Sequence, residues 1–132
     1  MSLPNKGKIL ALDLGTRRTG VAISDATQKV AFLRDELEHT SNAELLTKLR
    51  TLLSGEVVVG IVAGLPLRLG GEASPQTEKV REQIALIQSE FGLPLETIDE
   101  RFSTQEAKAP KMKVVDSRSA QILLENYISS IS

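Results

Sequence analysis

The sequence predicts an α/β fold, a mixed five-stranded sheet with helices on both faces. Two apolar segments near the N-terminus, Lys8 to Leu14 and Thr19 to Ser24, are only four residues apart. That spacing suits an antiparallel hairpin, because a parallel crossover needs a dozen or more residues. Val57-Val58-Val59-Gly60-Ile61-Val62 is a near-continuous apolar run, the pattern of a strand covered on both faces. From there, helical and extended patterns alternate towards the C-terminus, as they do when helices layer a mixed sheet.

Each element has a local cause. Lys8 to Leu14 is apolar and ends in an acid and a glycine, so it reads as a buried strand. Thr19 to Ser24 is the second strand, with Gly15 available for the turn between them, and Val30 to Glu38 is a weaker third. Ser41 followed by Glu44 is a capping box. Leu45, Leu46, Leu49, Leu52 and Leu53 continue as a helical stripe, and Gly55 stands at the C-cap. Glu56 to Ala63 is the fourth strand. Ser74-Pro75 is an N-cap and first helical residue. Val80, Ile84, Ile87 and Phe91 line the helix that follows, and Gly92-Leu93-Pro94 stops it. Leu95 to Asp99 is the fifth strand. Ser103 and Glu106 form another capping box, opening a short helix. Asp116 or Ser117 caps the last helix, whose apolar face is Ala120, Leu123, Leu124, Tyr127, Ile128 and Ile131.

Composition narrows the chemistry. The 132 residues suit one domain, 1–132, with 41% hydrophobic and 25% charged residues. There is no cysteine, which excludes a disulfide scaffold, a thiolate nucleophile and a Cys-based zinc site. The single histidine, His39, reads as a surface loop residue and leaves little room for a Ser-His-Asp triad. Seventeen acids against sixteen bases make the chain no polycation, so any nucleic-acid contact must come from a local basic patch. Aromatic residues are 3%, and Phe32, Phe91 and Tyr127 read as core, which argues against a base-stacking platform. No apolar stretch is long enough to span a membrane. The N-terminus lacks an apolar signal core, so a cytoplasmic location and no membrane partner are expected.

Acids fall at the edges of three core elements. Asp13 ends the first strand, where a buried carboxylate needs a partner, either a hard cation or the amides of the turn around Gly15. Asp99-Glu100-Arg101 follows the last strand. Strand alternation lets only one of its two acids face a common site, unless the strand has already ended. The alternative is a solvated acid–arginine pair. Asp116 opens the last helix, where aspartate is also a preferred N-cap. Together these carboxylates could converge on two metal ions, and an all-oxygen set selects magnesium or manganese over zinc. Basic residues flank the same places: Arg17 and Arg18, Arg68 in the Gly64–Gly71 loop, Arg101, and Lys108, Lys111, Lys113 and Arg118. Acid ringed by base suits a metal-dependent enzyme acting on a polyanion.

Four motifs in order resemble the YqgF (RuvX) family, the Holliday-junction-resolvase-like proteins of bacteria. They are Leu12-Asp13-Leu14-Gly15-Thr16-Arg17-Arg18-Thr19-Gly20-Val21-Ala22, Val59 to Leu67 with Gly70-Gly71, Asp99-Glu100-Arg101-Phe102-Ser103-Thr104-Gln105-Glu106-Ala107, and Val115-Asp116-Ser117-Arg118-Ser119-Ala120 with Ile122-Leu123-Leu124. The resemblance covers nearly the whole chain. It departs at Lys108 to Val114, shorter than the family's Gly- and Lys-containing loop, and at Ser119, where the family often has alanine.

The resemblance implies a ribonuclease H-like fold and a divalent-metal nuclease associated with processing the 5′ end of pre-16S rRNA. By position it implies a catalytic and metal-binding set of Asp13, Glu100 and Asp116, with Asp99 as neighbour. Two Mg²⁺ or Mn²⁺ ions are expected as cofactors. Arg17, Arg18, Arg68, Arg101, Lys111 and Lys113 are expected to hold phosphates without reading sequence. Nucleic acid is the expected partner, RNA ahead of branched DNA, and the expected state is a monomer or weak homodimer. The alternatives are a Holliday-junction resolvase and a non-catalytic nucleic-acid-binding factor in ribosome biogenesis. A third, an actin-like ATPase reading of the Asp13–Thr16 turn, needs two such domains, and this chain supplies one.

Overall fold

Apolar pattern and observed structure agree over most of the chain. The computed structural model describes residues 3–100 and 117–131. The elements are β1 (Lys8–Asp13), β2 (Arg18–Ser24), β3 (Ala31–Glu38), α1 (Asn42–Ser54), β4 (Val58–Leu65), α2 (Pro75–Phe91), β5 (Leu95–Asp99) and α3 (Ser117–Ile131). The short helix expected at Ser103 lies outside the described residues, as do Arg101, Lys108, Lys111, Lys113 and Asp116.

The strands form one sheet in the order β3-β2-β1-β4-β5. β1 is antiparallel to β2 (Asp13 opposite Gly20) and parallel to β4, which is parallel to β5. β2 and β3 are antiparallel, with a register shift between Thr19 and Val21. Next to that shift the Val21 N–H donates to Ser117 Oγ at 3.0 Å, which ties the first residue of α3 to β2.

Period-two alternation sorts the sheet into two cores. Leu10, Leu12, Val21, Ile23, Ile61 and Ala63 face α1 and α2, meeting Leu45, Leu49, Val80, Ile84 and Ile87. Ile9, Ala11, Ala22 and Val62 face α3, meeting Ala120, Leu124 and Tyr127. Each large buried aliphatic contributes about 1.5–3 kcal/mol relative to exposure.

The helices start and stop where their sequences dictate. Ser41 accepts from Glu44 N, and the Glu44 carboxylate reaches back to Thr40 N at 2.8 Å, one residue before the cap. Ser74 and Thr77 form a full capping box with Pro75 behind the cap, and Gly92 closes α2 in the left-handed region at φ 66°. Gly55 caps α1 with an ordinary right-handed φ.

Two expectations are corrected. His39 is not a surface residue: it is 3% exposed and its Nε2 is 2.9 Å from Thr19 Oγ1. Phe32 is not core: it is 46% exposed beside Leu33 on β3. Among the described residues β3 is the edge strand of the sheet, so apolar character there does not imply burial.

Candidate active site

Two of the candidate acids, Asp13 and Glu100, meet at the carboxyl ends of the parallel strands. Asp13 is the last residue of β1 and shares the parity of Ile9 and Ala11, so it lies on the α3 face. Gly64, near the end of β4, shares the parity of Val62 and lies on the same face. Along β5, Leu95 packs on the α1/α2 side and Ile98 on the α3 side. That alternation assigns Asp99 to the first side and Glu100, just past the strand, to the second. Glu100 accordingly reaches Asp13 and is hydrogen-bonded to it.

Glycine makes this meeting possible. A Cβ on Gly64 would stand 2.3 Å from Glu100 Oε2 and 2.7 Å from its Cγ. The Glu100 side chain therefore occupies the space that any other residue at position 64 would fill. Gly64→Ala is expected to push the carboxylate off Asp13 and lower cleavage ten- to a hundredfold, since ångström-scale misplacement costs about that much. Thermal stability should change little, because a strand glycine gains backbone rigidity on substitution. Parallel turnover and melting measurements check both halves.

Two half-buried acids sharing a site cannot both ionise freely. Burial, above all, and then the Asp13 charge and hydrogen bond push the Glu100 carboxyl up to about 8, with Asp99 adding a smaller repulsion. Both side chains offer only oxygen donors, the chemistry that fits a hard divalent cation. Among the described residues no three acids or histidines are grouped closely enough to hold a metal by themselves. The remaining expected donor, Asp116, lies outside them. Its neighbour Ser117 is fixed on Val21, one residue from the Gly20 that faces Asp13 across the hairpin.

Other side chains brace the two turns. Gly15 leaves no room for a side chain, since a Cβ would meet the Arg18 carbonyl at 2.4 Å. Gln83 of α2, 5% exposed, donates to the Gly15 carbonyl at 2.9 Å. Thr77, fully buried on the same helix, donates through its hydroxyl to the Pro66 carbonyl. One helix thereby holds both the turn after Asp13 and the loop after Gly64. Neither residue was singled out from sequence as functional. The signal was present, because Gln83 sits three after Val80 and four before Ile87, a polar residue inside the apolar stripe.

The basic residues are placed around the same sheet end. Arg17 and Arg18 are exposed in the turn after Asp13 and at the start of β2. Arg68 is exposed in a tight turn after β4, where its N–H donates to the Glu72 carbonyl. Arg118, in the first turn of α3, is exposed too.

Comparisons with known proteins agree with this architecture. The chain is 39% identical to a protein of Koribacter versatilis named "Putative pre-16S rRNA nuclease", over 92% of this chain and 86% of that one. A protein of Maridesulfovibrio salexigens with the same name is 35% identical over 92% and 98%. The fold is similar to that of T. thermophilus RuvC in complex with Holliday junction substrate, with a TM-score of 0.63 at 10% identity, covering 95% of each chain. It is also similar to the fowlpox virus resolvase in complex with Holliday junction DNA, with a TM-score of 0.55 at 13% identity, covering 94% and 98%. The sheet is thus the ribonuclease H-like one expected. A family model described as "RuvX: Holliday junction resolvase" matches residues 7–130, and the chain belongs to the RuvX family.

Proposed function

We propose that this protein is a divalent-metal-dependent nuclease that hydrolyses phosphodiester bonds in RNA, acting in the cytoplasm at the 5′ end of pre-16S rRNA. The observation that carries this reading is the hydrogen-bonded Asp13–Glu100 pair at the strand ends, whose side chains offer only oxygen donors. The name of the relatives, pre-16S rRNA nuclease, supports RNA as the substrate.

Asp13, Glu100 and Asp116 would hold Mg²⁺ or Mn²⁺, with Asp99 adjoining. When bound, such ions supply Lewis acidity towards the phosphate and ease deprotonation of the attacking water. Glu100 keeps its proton near neutral pH and must release it before the pair presents two carboxylates. The turn after Asp13 is braced through Gln83, so the carboxylate is held in place before substrate arrives. Arg17, Arg18 and Arg68, with Arg101, Lys111 and Lys113, would hold the strand through its phosphates.

The test is cleavage of labelled pre-16S RNA and of a four-way DNA junction, each with Mg²⁺, Mn²⁺ or EDTA. RNA cleavage with either metal, none in EDTA and an intact junction are expected. Cleavage of the junction alone would replace the reading with a resolvase, which the description of the family favours. Salt-dependent RNA binding without turnover would replace it with a binding factor.

A further inference from the structure

A second concavity lies at the same end of the sheet, on its α1 side. It encloses about 370 Å³ between Arg17 and Arg18, the segment Glu38-His39-Thr40 past β3, and Glu44 and Lys48 of α1. Three cations therefore face two carboxylates, and one of the carboxylates is committed. Glu44 accepts from Thr40 N at 2.8 Å and Thr40 Oγ1 at 3.1 Å, and stands 3.7 Å from Lys48 Nζ. Arg18 has a long, exposed pairing with Glu36 at 3.9 Å, which costs little to give up. Arg17 enters no ion pair among the described residues.

The wall also holds an unfinished polar group. His39 is 97% buried by its 3% exposure, and its Nε2 is used by Thr19. Its Nδ1 has no hydrogen-bond partner among the described residues. Buried polar atoms are nearly always paired, so an orphan beside a charged cleft calls for a ligand or a bound water.

We propose that this cleft binds a backbone phosphate of the nucleic-acid strand, a subsite separate from the acids that act on the reacting phosphate. The guanidinium forks of Arg17 and Arg18, the Lys48 ammonium and, in the tautomer whose Nε2 accepts from Thr19, the Nδ1–H of His39 are the donors a phosphodiester needs. β2 alone separates β3 from β1. The cleft is therefore one to two strand spacings, about 5–10 Å, sideways from Asp13 and on the opposite face of the sheet, so a strand that passes round this end of the sheet reaches both within a few nucleotides. This inference rests on the nuclease reading for its ligand, and its test does not depend on turnover.

His39 is the sole histidine in the chain, so its ring signals in NMR report on this cleft alone. The probe is a single-stranded RNA of about eight nucleotides, in EDTA. RNA is expected to shift the His39 ring resonances saturably, and inorganic phosphate at the same concentration is expected to leave them unmoved. The double variant Arg17→Gln, Lys48→Gln should weaken RNA binding about tenfold or more. It should also flatten the log–log salt dependence by roughly 0.7 for each lost contact. Unmoved His39 signals at saturating RNA would overturn the proposal. So would an equal response to inorganic phosphate, which would mark a free-phosphate site, or an unaltered salt slope in the double variant. An inactive protein whose His39 still responds to RNA would lose the nuclease reading and keep the cleft.

Discussion

Asp13→Asn is expected to lower metal-dependent RNA cleavage by about 10³-fold or more, equivalent to roughly 4 kcal/mol of barrier. Asp13 faces Gly20 across the hairpin and is hydrogen-bonded to Glu100. Asparagine keeps the shape and one oxygen but removes the charge, so a cation loses its central ligand. The fold should not suffer. Removing one of two repelling acids relieves the strain on Glu100, so the variant should melt no lower than the parent in EDTA. Activity and melting temperature then move independently. A variant that cleaves as well as the parent would remove Asp13 from the mechanism, and one that fails to fold would show that its role is structural.

Glu100→Gln is expected to stabilise the metal-free protein at high pH. The folded-state carboxyl is pushed to about 8 from an ordinary 4.5. Below 4.5 both folded and unfolded chains carry the proton, and the group makes no difference. Between 4.5 and 8 the unfolded chain ionises while the folded one retains its proton, so stability falls as pH rises across that window. Above it the loss is complete, of the order of a few kcal/mol. Glutamine has no proton to lose. In EDTA the variant and parent should therefore unfold alike near pH 4 and diverge by pH 8, with the variant the more stable. Adding Mg²⁺ at pH 8 should raise the parent's melting temperature and leave the variant nearly unmoved, while cleavage by the variant is lost. Denaturant titrations at several pH values check the slope. Parallel curves for the two proteins would show that Glu100 is not held neutral by its surroundings.

These two predictions depend on different kinds of information. That Asp13 belongs to the candidate site was legible from its position: an acid ending a buried strand, followed by Gly15 and a short hairpin. That Glu100 and not Asp99 joins it was not. Strand alternation restricted the choice to one of them, but choosing needed the facing of β5, which is set by Leu95 against α2's side and Ile98 against α3's. Gly64 shows the same division. A glycine in a strand signals close approach, yet what approaches is Glu100, thirty-six positions later in the chain.

The sequence by itself determined the local structure: the hairpin from a four-residue spacing, the doubly covered β4 from its apolar run, and the helix ends from Ser41, Ser74 and Gly92. Each is a property of neighbouring residues, in which backbone sterics and short-range hydrogen bonds are decided within a turn or a pleat. The motif order also named Asp13 and Glu100, which the fold brings together, and Asp116, which lies outside the described residues. Tertiary structure alone decided the facing and the closure. It buried His39 against Thr19, left Phe32 exposed on an edge strand, and turned Gln83 and Thr77 of α2 into clamps on two distant turns. Those outcomes depend on which elements become neighbours. Burial and hydrogen-bond partners are properties of the assembled sheet and its layers, and no window of sequence contains both halves of such a contact.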